Sequence, residues 1–207
     1  MQNFSVYPSV ADLYDLNAQV MQPDGKIRIY GTTLSNNKFS PFINSVTPEG
    51  EMANTTFVMV SVPHFTGDAK QISKDECVWV KSIWGSATNI YNAFVYRINM
   101  ANNDMQTWRC PIKSDFNEES SKLIVLPDTS VLLLCKRYAN ETFVSWTSVI
   151  YKIDPKGQLL WTKELGDFTD FESHSICSNG GSIYYTNCQG NEKTGISASN
   201  IVELDQN

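Results

Sequence analysis

Apolar positions fall in short runs of strand length, and none keeps a 3.6-residue period over the span of a stable helix. Ile27-Arg-Ile-Tyr30, Cys77-Val-Trp-Val80, Val131-Leu-Leu-Leu134 and Ser182-Ile-Tyr-Tyr185 read as strands. The only arguable helix is Asp12–Met21, where Leu13, Leu16 and Val20 give a short helical spacing. Each strand-like run follows a tight turn: Pro23-Asp-Gly-Lys26, Ser73-Lys-Asp-Glu76, Pro127-Asp-Thr-Ser130 and Ser178-Asn-Gly-Gly181. These turns start at positions 23, 73, 127 and 178, which are 50, 54 and 51 residues apart. A second landmark, a strand running into a turn, ends at Val46, Ile98, Ile153 and Leu204, at intervals of 52, 55 and 51 residues. The chain is therefore a fourfold repeat.

Each unit holds four strand candidates. In the third they are Ser121–Leu126, Val131–Cys135, Thr147–Ile153 and Gln158–Leu165. Four short strands in a unit of about 50 residues predict one blade of a β-propeller. The expected architecture is all-β, a single domain over 1–207. Its four-stranded antiparallel blades cover about 16–62, 68–112, 121–165 and 172–207, the last completed by residues 2–7. The fourth unit stops at its last turn, whereas the strand-like Gln2-Asn-Phe-Ser-Val-Tyr7 precedes the first. The expectation is that this N-terminal strand closes the ring as the outer strand of the last blade and removes an open edge.

The units resemble generic β-propeller repeats. Residues 16–50 are similar to repeats with a Pro-Asp-Gly-Lys turn, a strand ending in glycine (Gly31) and a later Pro-x-Gly turn. Residues 154–161, Asp-x-x-Gly-x-x-x-Trp, resemble the tryptophan-bearing turn of quinoprotein-like propellers and their non-enzymatic relatives. Trp161 holds that role and Trp108 is its nearest counterpart; units one and four lack it, so no quinone or other cofactor is expected. The resemblance implies an architecture rather than an activity.

Composition sharpens this. With 42% hydrophobic and 18% charged residues the chain can build a core, and 12% aromatics suit half-buried strands. A net charge of −6 argues against a nucleic-acid partner. No window approaches a membrane span, and the N-terminus lacks the pattern of a secretory signal. Cys77, Cys110, Cys135, Cys177 and Cys188 are odd in number and contain no close pair, which fits a cytoplasmic or otherwise reducing compartment. On that reading the sequons at Asn3, Asn54 and Asn140 are chance matches.

In a meander the first–second and third–fourth turns share one end of the blades, and the remaining connections share the other. The first end carries tight turns. The second receives the longer segments Thr32–Ser40, Ser82–Asn92, Lys136–Ser145 and Asn187–Ser199, with inter-blade segments Val62–Asp68, Pro111–Ser120 and Gly166–Glu172. This long-loop face is the expected functional surface. It holds Phe39, Trp84, Tyr91, Tyr138 and Phe143 in Asn-rich surroundings, suited to stacking on a sugar or docking a protein. The same rings could equally staple neighbouring blades.

Asp167, Asp170 and Glu172 form a weak calcium candidate, short of a full oxygen cage. His64 and His174 are the only histidines, too few for a metal site; His174 is placed to line a central channel. No nucleophile elbow, phosphate loop or zinc-protease motif occurs. The leading expectation is a non-catalytic scaffold for a protein partner, with a homo-oligomer as a further option. The alternatives are a lectin, and a small hydrolase or lyase using His174 or His64 as base.

Overall fold

The computed structural model describes residues 12–22, 24–35, 38–57, 68–85, 90–99, 104–109, 117–138, 145–169, 173–179, 181–191 and 196–204. All regular structure among them is strand. The first sheet holds β1 (Asp12–Met21), β2 (Ile27–Ser35), β3 (Lys38–Val46) and β4 (Met52–Phe57). The second holds β5 (Ala69–Ser73), β6 (Glu76–Gly85), β7 (Ile90–Asn99) and β8 (Asp104–Arg109). The third holds β9 (Asn117–Val125), β10 (Val131–Tyr138), β11 (Ser145–Ile153) and β12 (Leu159–Thr169). The fourth, among the described residues, holds β13 (Ser173–Asn179), β14 (Ser182–Asn191) and β15 (Ile196–Leu204). Every sheet is an antiparallel meander in chain order. Residues 2–7, expected to complete the fourth sheet, lie outside the described residues.

Two expectations are corrected. Asp12–Met21 is strand β1, not a helix, and its ladder with β2 slips between Leu13 and Asp15 and again between Leu16 and Ala18. Each irregularity adds a residue to one strand, so Leu13, Leu16 and Val20 drift out of a two-residue period. The second–third connections are also shorter than expected. β2 runs to Ser35 and β3 starts at Lys38; β6 runs to Gly85 and β7 starts at Ile90. Ladder bonds extend each hairpin through the residues first read as loop, because unpaired backbone groups beside a partner strand are costly.

The tight turns are one structure used repeatedly. Gly25, Gly50, Thr129 and Gly157 each donate their backbone N–H to the carbonyl three residues back, on Gln22, Thr47, Leu126 and Asp154, at 2.9–3.0 Å. The same four acceptor residues donate their own N–H to Lys26, Glu51, Ser130 and Gln158. The last turn residue has φ of 80°, 90° and 86° at the glycines and 62° at Thr129. A β-branched residue in the left-handed region is strained, by about 1–3 kcal/mol. Asp128 offsets part of this by accepting from the Ser130 backbone N–H and hydroxyl. Thr129→Gly is expected to stabilise the protein by about 1 kcal/mol, the strain relief less the backbone entropy of glycine. Urea denaturation checks it, and a loss of stability would refute the strain.

Packing follows from the two-residue side-chain alternation. Val131, Leu133 and Cys135 of β10 enter a core with Val78, Val80, Ala93 and Val95 of the second sheet. The intervening Leu132 and Leu134 enter another with Ile176, Ile183, Tyr185 and Leu204 of the fourth. In β6, Cys77 and Trp79 pack with Tyr30 and Ile43 of the first sheet, and Val78 and Val80 face the third. The inner sheets are therefore buried on both faces, which is why their second strands read as unbroken apolar runs. The sheets stack face to face in chain order, and their first strands β1, β5, β9 and β13 adjoin successively. Cys77 and Cys135 are buried thiols outside any disulfide, and burial pushes the Cys77 thiol up to about 12. Both behave as small hydrophobes.

Candidate functional site

Ladder register shows how far the four units are equivalent. Ile27, Cys77, Val131 and Ile183 hold matching ladder positions opposite Val46, Ile98, Ile153 and Leu204. Seven residues on, near the predicted functional face, the facing pairs are Leu34–Phe39, Trp84–Tyr91, Tyr138–Trp146 and Gly190–Ser197. Three of the four hairpins thus carry a large apolar pair at one level, and Phe39, Trp84, Tyr91 and Tyr138 are its members. The pair in the third sheet is packed rather than presented: Tyr138 is 7% and Trp146 4% exposed, and both belong to the core shared with the fourth sheet. The Tyr138 hydroxyl donates to Glu119 Oε2 at 3.1 Å, and Lys136 Nζ lies 4.8 Å from the centre of the Trp146 ring.

Beneath that pair lies a buried polar cluster that sequence reading missed. Glu118, on β9, is fully buried. Its Oε1 accepts from Arg137 Nε at 2.8 Å and from the Tyr151 hydroxyl. Arg137 also donates to Tyr151 at 2.6 Å and to Glu164 on β12 at 2.5 Å. One guanidinium thus ties all four strands of the third sheet. Burial pushes the Glu118 carboxyl up, against the opposing bonds from Tyr151 and Arg137. Burial outweighs them because Glu118 Oε2 accepts no hydrogen bond among the described residues. Burial works against the Arg137 charge, but its bonds to Glu118 and Tyr151 prevail and hold it protonated. The only sequence signal was Tyr151 inside an apolar strand run, since Arg137 read as part of the segment Lys136–Ser145.

A concavity among the described residues lies at the opposite, tight-turn end, between the first two sheets. It is a groove of about 620 Å³, lined by Val20, Met21, Arg28, Ile72 and Lys74 among others. Gln22 Nε2 donates to Gln71 Oε1, and Arg28 donates to the Lys74 carbonyl at 3.0 Å, so the two sheets are bonded across it. Lys26, Arg28 and Lys74 stand against one lining carboxylate, Asp24, which pairs with Lys26 at 3.0 Å. Met21 is 68% exposed beside them. The groove lining combines apolar residues with an excess of cations on a chain that is acidic overall, a contrast a sequence-wide charge count hides.

Of the remaining sequence candidates, the described ones are placed on separate strands. His174 lies on β13, opposite Asn187, and Asp167 on β12, opposite Thr147. His64, Phe143, Asp170 and Glu172 lie outside the described residues, as do most connections of the long-loop face. Among the described residues no three His, Cys, Asp or Glu side chains group as a metal site, and no helix is long and apolar enough to cross a membrane.

No protein-family profile and no curated protein matches the sequence. Solved structures do. A glycoside hydrolase family 32 β-fructofuranosidase of Bombyx mori superposes with a TM-score of 0.54 at 13% identity, over 97% of this chain and 50% of that one. The β-propeller domain of the trilobed protease of Pyrococcus furiosus, described as having an open velcro topology, superposes with a TM-score of 0.52 at 10% identity, over 97% and 56%. The chain spans about half the length of these structures. At such identity the likeness is one of fold: this chain is built of β-propeller blades.

Proposed function

We propose that the protein is a non-catalytic binding module that holds an extended acidic segment of a protein partner in the groove between the first two sheets. The observation that carries this is the pairing of apolar lining residues, Val20, Met21 and Ile72, with an excess of cations over carboxylates in the same lining. An apolar anchor flanked by Asp or Glu satisfies both, the anchor by burial and the flanks by charge. Peptide display against the full chain is the test. Selected sequences are expected to place acidic residues around a Leu or Phe. Lys26→Glu with Lys74→Glu should weaken them by more than about tenfold, with the effect shrinking at high salt. Selection of neutral or basic sequences, or binding indifferent to these changes, refutes the groove.

A second reading, sugar binding on the opposite face, rests on the level pairs Leu34–Phe39 and Trp84–Tyr91. Glycan binding lost in Trp84→Ala, with groove variants silent, would favour it.

We further propose that the four sheets form a closed four-bladed ring, with residues 2–7 pairing along β15. Support comes from β15 itself. It is the last described strand of a three-stranded sheet, and Ile201 is 75% and Val202 46% exposed along it.

A further inference from the structure

We propose that the cavity between the first strands of the second, third and fourth sheets binds a small organic dianion, a phosphate ester or a dicarboxylate. The cavity measures about 500 Å³ and lies between β5, β9 and β13, a volume suited to a small molecule rather than a bare ion. Register arranges its polar groups in levels. Asp68 faces Val80, Lys122 faces Leu134 and Ser175 faces Thr186, positions that are equivalent in the three units. One step along the same strands, Lys70 faces Val78 and Cys177 faces Tyr184. Two lysines, Lys70 on β5 and Lys122 on β9, therefore line one cavity, and Ser175 and Ser178 on β13 belong to the same lining.

Asp68 is the counter-ion of Lys70, whose Nζ lies within 3.3–3.4 Å of both carboxylate oxygens, and it makes no ion pair with Lys122. Its carboxylate is 7% exposed and is engaged with the backbone: Oδ1 accepts from the Ala69 N–H at 2.9 Å and Oδ2 from the Leu123 N–H at 3.1 Å. That second bond fastens the second sheet to the third. Lys70 Nζ sits 3.3 Å from the same Oδ2, so one lysine is compensated in part. Lys122 makes no ion pair among the described residues. Ile124, Val125 and Ile176 form the rest of the wall, and apolar walls strengthen the attraction of a lysine for an anion relative to bulk water. A dianion would meet Lys122, the outer side of Lys70 and one serine hydroxyl, because Ser175 and Ser178 lie three residues apart on β13 and project to opposite faces of it.

Cys177 is an exposed thiol in the same wall and gives a direct readout. In the full chain, iodoacetamide labelling of each cysteine is followed by peptide mass spectrometry, with inorganic phosphate, phenyl phosphate or succinate present. Bound dianion should slow labelling of Cys177 about fivefold once the probe is well above its Kd, and leave buried Cys77 unchanged. Lys122→Arg should keep the protection and Lys122→Ala should remove it. Protection by phosphates but not succinate identifies a phosphate ligand, and the reverse a dicarboxylate. Either outcome upholds the site. No protection by any probe, equal protection by sodium chloride at matched ionic strength, or protection that survives in Lys122→Ala overturns it.

Discussion

Replacing Arg137 by Ala is expected to lower the unfolding free energy by about 3–5 kcal/mol, because it strands a fully buried carboxylate. In the intact protein Arg137 bonds Glu118, Tyr151 and Glu164, and Glu118 has no exposed surface through which water could replace those bonds. The second variant separates lost packing from stranded charge. Arg137→Met with Glu118→Leu removes both charges and should recover most of the loss, since an apolar pair avoids the desolvation cost of the ions. The pH dependence has a definite sign. The folded Glu118 carboxyl is raised above its unfolded value by burial, so protonation favours the folded state, and this contribution is lost as pH rises through the folded pKa. Without the guanidinium the raising is larger. The Arg137→Ala deficit should therefore be greatest at neutral pH and narrow as the solution is acidified. Urea denaturation at several pH values measures all of this. A loss that does not change with pH, and that the double variant does not repair, would mean the cluster stabilises through packing alone.

The fold was more legible than the site, for reasons that particular residues show. Turn chemistry is local, and Asp24-Gly25, Glu49-Gly50 and Asp154 to Gly157 announced their geometry because only glycine is at ease at the closing position. Thr129 fills that position without glycine, and the repeat spacing alone located its turn. The unbroken run from Val131 to Cys135 spelled out a strand buried on both faces. What the sequence did not show is what depends on distances across sheets. Tyr138 read as a loop aromatic, yet the ladder carries β10 through it into the core. The groove is assembled from Met21, Arg28, Ile72 and Lys74 on two units, and the cavity between the first strands from Lys70, Lys122 and Ser175 on three. Such sites are made by sheet stacking, and the one-dimensional pattern holds no mark of it. Phe39, Trp84 and Tyr91 show a middle case: their residue type was visible, but their equivalence needed the ladder register.

Ring closure predicts the other large effect. A chain starting at Asp12 should be less stable than the full chain by about 3–6 kcal/mol, the loss of about five ladder hydrogen bonds at roughly 0.5–1.5 kcal/mol each. Its exposed edge would then be free to pair with another copy, so the truncated protein should also associate as its concentration rises. Ile201 and Val202 make that edge apolar, and Ile201→Lys with Val202→Lys should suppress association without restoring stability. A synthetic peptide of residues 1–10 added to the truncated chain should recover part of the lost stability, because a strand supplied from outside forms the same ladder. Stability is read by urea denaturation and association by light scattering. If truncation changes neither, residues 2–7 are not the closing strand. If the full chain already associates through Ile201 and Val202, the partner of β15 is a second copy. The closing strand has a further consequence for the groove. Fixing the fourth sheet against the first constrains β1, and Val20 and Met21 at the end of β1 form part of the groove wall. Truncation should therefore weaken the acidic-peptide binding assigned to that groove, even though residues 2–7 are not among its lining.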